Sequence, residues 1–165
     1  MSTYLVVLDG AEAEDEVLTT LAGVVDGDFA ANFTLLVPAD RRRFATEGEC
    51  WLEAAQRAND ALETLKAFGF DVTEAVVGDF MRRKAISEEI RRSERAYDEI
   101  ILFTLPWVPG LDVSPVTGGD IARQLQHRHC LPVRQVTLDA GQVEPGWLLV
   151  PQLRDLELGS LSRRN

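Results

Sequence analysis

With 165 residues, 45% of them hydrophobic and 27% charged, the chain is long enough to bury one core without disulfides or metals. Its net charge of −10 excludes the basic footprint that non-specific nucleic-acid binding requires. No apolar run approaches the roughly 20 residues that span a bilayer, which argues against a membrane partner.

The first element is Tyr4 to Leu8, a continuous apolar run of the kind that central parallel strands show. Nothing basic precedes it and Asp9 ends it, so it reads as a strand rather than a signal peptide, and the protein is expected in the cytoplasm. Acidic residues from Glu12 to Glu16 lead a helix with Val17, Leu18, Leu21 and Val24 or Val25 on its inner face, stopped at Gly27. Phe33 to Val37, closed by Pro38, is the second strand. A long helix from about Glu47 to Phe68 follows, with Trp51, Leu52, Ala55, Ala58, Leu62 and Leu65 as its apolar stripe and Gly69 as its stop. Asp71 to Val77 alternates in polarity, as a sheet-edge strand does.

Gly78-Asp79 then turns the chain into a helix running through Ala85, Ile86 and Ile90 to about Ala96. The fourth strand, Ile100 to Phe103, enters a loop punctuated by proline and glycine. Gly118-Gly119 opens a helix that lasts to about His129, and the fifth strand spans Pro132 to Leu138. This alternation predicts an α/β fold: a doubly wound, five-stranded parallel sheet with right-handed crossovers and helices on both faces. Residues 1–138 form that domain. Residues 139–165 break the alternation and are expected to be a C-terminal arm whose apolar run, Trp147 to Val150, supplies an extra strand for packing or dimerisation.

Cys50 and Cys130 are far apart and form no CxxC, which fits two reduced thiols. His127 and His129 are two residues apart on a helix and fall on different faces, so no metal pair is expected there. Arg41-Arg42-Arg43, Arg82-Arg83-Lys84 and Arg91-Arg92-Arg95 read as solvated basic clusters.

The ordered pieces resemble the universal stress protein family. Leu8-Asp9-Gly10 before an acidic helix is similar to its opening, and Phe33 to Val37 to its second strand. Val76-Val77-Gly78-Asp79, then Tyr97-Asp98-Glu99-Ile100-Ile101, resembles its central passage. Gly119-Asp120-Ile121 through Cys130-Leu131-Pro132-Val133 resembles its last helix and strand entry. The resemblance covers residues 3 to 138 and implies strand order 3-2-1-4-5. By that resemblance Asp9 and Val37 would face the nucleoside, Gly119 would face the phosphates in a loop after the fourth strand, and the chain would form a homodimer; Gly10, Thr104, Gly110, Gly118 and Asp120 are the further candidate binding positions around that site. Switch-point reasoning favours the same crevice.

One departure is specific. The family's phosphate pattern is Gly-x2-Gly-x9-Gly-Ser/Thr, and counting back from Gly119 puts Pro106 and Pro109 at the first two glycines and Asp120 at the hydroxyl. Proline has no N–H to donate, and a carboxylate repels phosphate. The expectation is a stress-response or regulatory binding protein, not an enzyme, with weakened or lost ATP binding and no obligatory cofactor. The alternative is an ATP or AMP sensor, with slow hydrolysis, that uses a repositioned loop of Gly110, Gly118 and Gly119. Trp107 and Val108, between the two prolines, read as a rigid apolar lid or contact surface, or simply as a loop packed over the sheet. Ser114 and Thr117 lie in the loop without a histidine to activate them. Asp9, Asp112 and Asp120 could converge as a cation or general-base site, but Asp9 and Asp120 also suit helix capping.

Overall fold

The computed structural model describes residues 1–40, 46–94, 96–105 and 118–138, with the side chains of 118–120 left out. The proposed arm at 139–165 lies outside that set. Among the described residues nine elements follow one another: β1 (Thr3–Asp9), α1 (Asp15–Gly27), β2 (Asn32–Pro38), α2 (Glu47–Ala67), β3 (Val72–Gly78), α3 (Arg82–Arg92), β4 (Glu99–Thr104), α4 (Gly118–His129) and β5 (Val133–Thr137). All strand pairs are parallel, in the order β3-β2-β1-β4-β5. That is the sheet the sequence predicts.

The central strands are apolar on both faces because both are covered. Alternate residues of β1 and β2 serve two cores. Val6, Leu8, Phe33, Leu35 and Val37 pack with α1 and α2. Leu5, Val7 and Leu36 pack with Ala85 and Ile86 of α3 and with Ile121 and Leu125 of α4. β3 is an edge strand, as its alternation implies, with Thr73 and Glu74 exposed. Among the described residues no helix is long and apolar enough to cross a membrane.

On α2 the buried face is Cys50, Ala54, Ala58, Ala61 and Leu65, which corrects the expected stripe. Leu52 is 72% exposed and Ala55 is also exposed, while Trp51 and Leu62 sit at the margin of the core. Small side chains let the helix lie close on the sheet, so alanines take the contact that larger residues appeared to claim. A capping box opens α2: the Glu49 N–H donates to Thr46 Oγ1 at 3.3 Å and the Thr46 N–H to Glu49 Oε2 at 2.8 Å. Its far end is a Schellman turn, with Gly69 at φ +87°, the Phe70 N–H donating to the Leu65 carbonyl and the Gly69 N–H to that of Lys66.

The third helix ends at Arg92, short of the expected Ala96, because Ser93 turns extended (φ −66°, ψ 126°). Beside that end lies a charged cluster. The Glu89 side chain is only 2% exposed and accepts from Arg92 Nε at 2.8 Å, Arg92 Nη2 at 3.0 Å and the Tyr97 hydroxyl at 2.8 Å. Arg92 Nη2 also donates to Glu74 of β3 at 2.8 Å. The two carboxylates hold the guanidinium firmly protonated. Arg92 is therefore a clamp between α3 and the edge strand, rather than one member of a solvated basic face.

Candidate functional site: the crevice between the first and fourth strands

From β1 the chain crosses to the side of α1 and α2, and from β4 to the side of α3 and α4, so a crevice opens between their carboxyl ends. Asp9 and Thr104 face each other there in register. Both are largely buried, at 9% and 5% exposure. Gly10 follows with φ +71°, and a side chain on it would come within 3.2 Å of Leu105 Cδ1. Glycine is needed for that turn and for the approach of the β4 exit. Arg57 of α2 steadies the same loop by donating to the Ala11 carbonyl at 3.1 Å.

The side chain that matters most was read in sequence only as part of a basic cluster. Arg82, the first residue of α3, brings Nε to 2.7 Å from Asp9 Oδ2, with the two side chains 26% and 11% exposed. A β3–α3 turn makes the reach possible: Asp79 Oδ1 accepts the Met81 N–H at 2.9 Å and Asp79 Oδ2 pairs with Lys84 Nζ at 2.6 Å. Asp9 is therefore neither a helix cap nor a lone carboxylate. The residue at the N-cap of α1 is Glu14. No sequence signal links residues 9 and 82, since the contact depends on the strand order.

The other candidate residues are distributed unevenly. Val37 is 1% exposed and packs in the core under α1 and α2. Thr104 Oγ1 accepts from Gln135 Nε2 at 3.4 Å, and its carbonyl accepts the Leu138 N–H, which ties β4 to β5. Gly118 and Gly119 are the first two residues of α4, where unpaired N–H groups collect. Asp120 is the third residue of that helix. Pro106, Trp107, Val108, Pro109, Gly110, Asp112, Ser114 and Thr117 lie outside the described residues. So do Arg41 to Arg43 and Arg95.

A serine–histidine pair does exist, away from the loop. Ser87 Oγ of α3 lies 3.0 Å from His129 Nε2 at the end of α4. Burial, then the neighbouring Arg128, lowers the His129 pKa below its ordinary value, so the imidazole is neutral near pH 7. Ser87 is only 8% exposed, and His129 has no carboxylate partner among the described residues. The pair joins two helices and lacks the orienting acid and the access a nucleophile needs. His127 is exposed on another face, and among the described residues no group of three or more metal-ligating side chains comes together.

No protein-family model matches this chain, and no curated protein matches it in sequence. Solved structures do match. A universal stress protein family protein from Burkholderia pseudomallei superposes with a TM-score of 0.53 at 14% identity, over 82% of this chain and 95% of its own. A universal stress protein family protein from Arabidopsis thaliana, with AMP bound, gives 0.54 at 13% identity, over 90% and 99%. With strand order, crossovers and these superpositions in agreement, the chain has the fold of universal stress protein family structures.

Proposed function

We propose that this chain is a universal stress protein-like, non-catalytic binding protein of a stress-response or regulatory kind, with a weakened nucleotide crevice. The observation that carries the reading is the Asp9–Arg82 ion pair at 2.7 Å, which engages the carboxylate at the crevice. A nucleoside that uses Asp9 as acceptor must share the carboxylate with Arg82 or displace a charge-assisted hydrogen bond, worth about 1–3 kcal/mol, or roughly five- to 150-fold in affinity. With the Arg82 side chain 26% exposed, solvent screening places the effect toward the lower figure. Pro106, Pro109 and Asp120 work in the same direction by sequence.

Calorimetry with AMP and with ATP–Mg²⁺ tests this. Wild type should bind no tighter than about 1 mM, and Arg82→Ala should tighten AMP binding at least about fivefold. Micromolar binding by wild type would overturn the weakened site. If Gly119→Leu then abolished that binding, the second reading would stand: an ATP or AMP sensor using Gly110, Gly118 and Gly119. That reading draws on the opening of α4 at Gly118 and on the AMP bound to the Arabidopsis thaliana protein.

A homodimer completes the proposal. Among the described residues β5, like β3, is an edge strand of the sheet, and sheet edges recruit partners. Light scattering should give twice the monomer mass, and removal of residues 140–165 should leave a monomer if Trp147 to Val150 join the interface. A monomeric full-length chain rejects the dimer.

A further inference from the structure

At the opposite end of the sheet, the face under α3 changes character. Period-two alternation sends Leu5 and Val7 of β1, Leu36 of β2 and Val76 of β3 into or against the core that α3 and α4 cover. The next residues on that face, toward the amino ends, are Thr3, Thr34 and Glu74. Thr34 is aligned with Leu5 on one side and Glu74 on the other. A register shift at Phe33/Thr34 adds Thr73, whose hydroxyl donates to Asn32 Oδ1 at 2.6 Å. Because α3 stops at Arg92, Ser93 and Glu94 form a rim there instead of a further helical turn.

The result is a hollow of about 300 Å³ bounded by Thr3, Thr34, Thr73, Ser93, Glu74, Arg92 and Glu94, every one of them polar. That volume is at the lower end of the roughly 300–1,000 Å³ typical of ligand sites. Ligand sites are mostly apolar, and among the described residues this one is lined by no aromatic, leucine, isoleucine or valine side chain; its apolar surface comes from threonine methyls and side-chain methylenes. Hydroxyls both donate and accept. The charges are spoken for in part, since Arg92 already serves Glu74 and Glu89. Among the described residues the lining carries Glu74 and Glu94 against Arg92, a balance that disfavours an anion. Thr34 is 5% exposed and sits in the floor, hydrogen-bonded to Tyr97.

We propose that this hollow binds a small neutral polyhydroxylated ligand, of monosaccharide or cyclitol size, at a site separate from the crevice at Asp9. Titration of the full chain by amide-resolved NMR with D-glucose and with myo-inositol, each to about 100 mM, tests it, since a few hydrogen bonds hold such a ligand near the millimolar range. Saturable shifts centred on residues 3, 34, 73 and 93 are expected with at least one of them. Thr34→Val, which keeps the shape and removes the hydroxyl, should weaken binding about tenfold. Thr3→Val takes its place if that variant does not fold. Absence of saturable shifts with both ligands, shifts centred elsewhere, or unchanged affinity in the folded variant overturns the proposal. So does tighter binding of putrescine or inorganic phosphate than of either polyol.

Discussion

Replacing Arg92 by alanine should destabilise the protein by about 3 kcal/mol, because it strands a carboxylate that has almost no access to water. Glu89 is 2% exposed at its side chain and receives two hydrogen bonds from Arg92 and one from Tyr97. Removing one partner of a buried pair costs about 3–5 kcal/mol. Half of Arg92 is in water, so the lower figure applies. The double variant Arg92→Ala/Glu89→Leu should recover much of the loss, since it removes the stranded charge together with its partner. Urea unfolding measures both. A loss under about 0.5 kcal/mol for Arg92→Ala, the size of an ordinary surface change, would mean the clamp contributes nothing.

Tyr97 gives the same cluster an alkaline signature. Burial raises its phenol pKa above 10.0, hydrogen bonds with Ser93 and Thr34 oppose the rise, and Glu89 adds to it. From about pH 10 upward the unfolded chain releases this proton while the native one keeps it. The contribution is thus complete below about pH 10 and is lost as pH climbs toward the higher native value. Tyr97→Phe should flatten that alkaline decline.

Gly78→Ala should lower stability by about 2–3 kcal/mol and the melting temperature by about 5–10 °C. A Cβ at Gly78 would fall 2.5 Å from Ala85 Cβ, 3.0 Å from Leu36 Cδ1 and 3.4 Å from Ala85 Cα. Leu36 is 1% exposed and Ala85 belongs to a packed helix, so neither can retreat cheaply. Adding Ala85→Gly removes the worst contact at a helix cost of about 1 kcal/mol, so the double variant should be more stable than Gly78→Ala alone. If Gly78→Ala melts with wild type, the close approach of β3 and α3 is not a constraint.

Glycine at 78 was visible in the sequence as a turn, but its second duty was not. The turn needs only local chain reversal, whereas the ban on a side chain comes from Ala85 lying across it. The α2 stripe failed for a related reason. Leu52 and Ala55 have the right spacing for a buried face, but helix-to-sheet contact selects the face rich in alanine, and Leu52 was left in water. The capping box of Thr46 and Glu49, by contrast, has a legible signal three residues apart. The Ser87–His129 and Asp9–Arg82 pairs have none, because each joins two elements whose neighbourhood follows from the strand order.

While the sheet order came only from the family resemblance, local chemistry alone determined the alternation of strands and helices, the parallel pairing with right-handed crossovers, the edge position of β3 and the stop at Gly69. These follow from side-chain period, backbone freedom and chain chirality, all of which act over a few residues. Which cation meets Asp9, which helix face is buried, and where hydroxyls gather under the end of α3 were decided only when distant segments packed. Contact energies of that kind depend on distances in space, and spacing along the chain does not encode them.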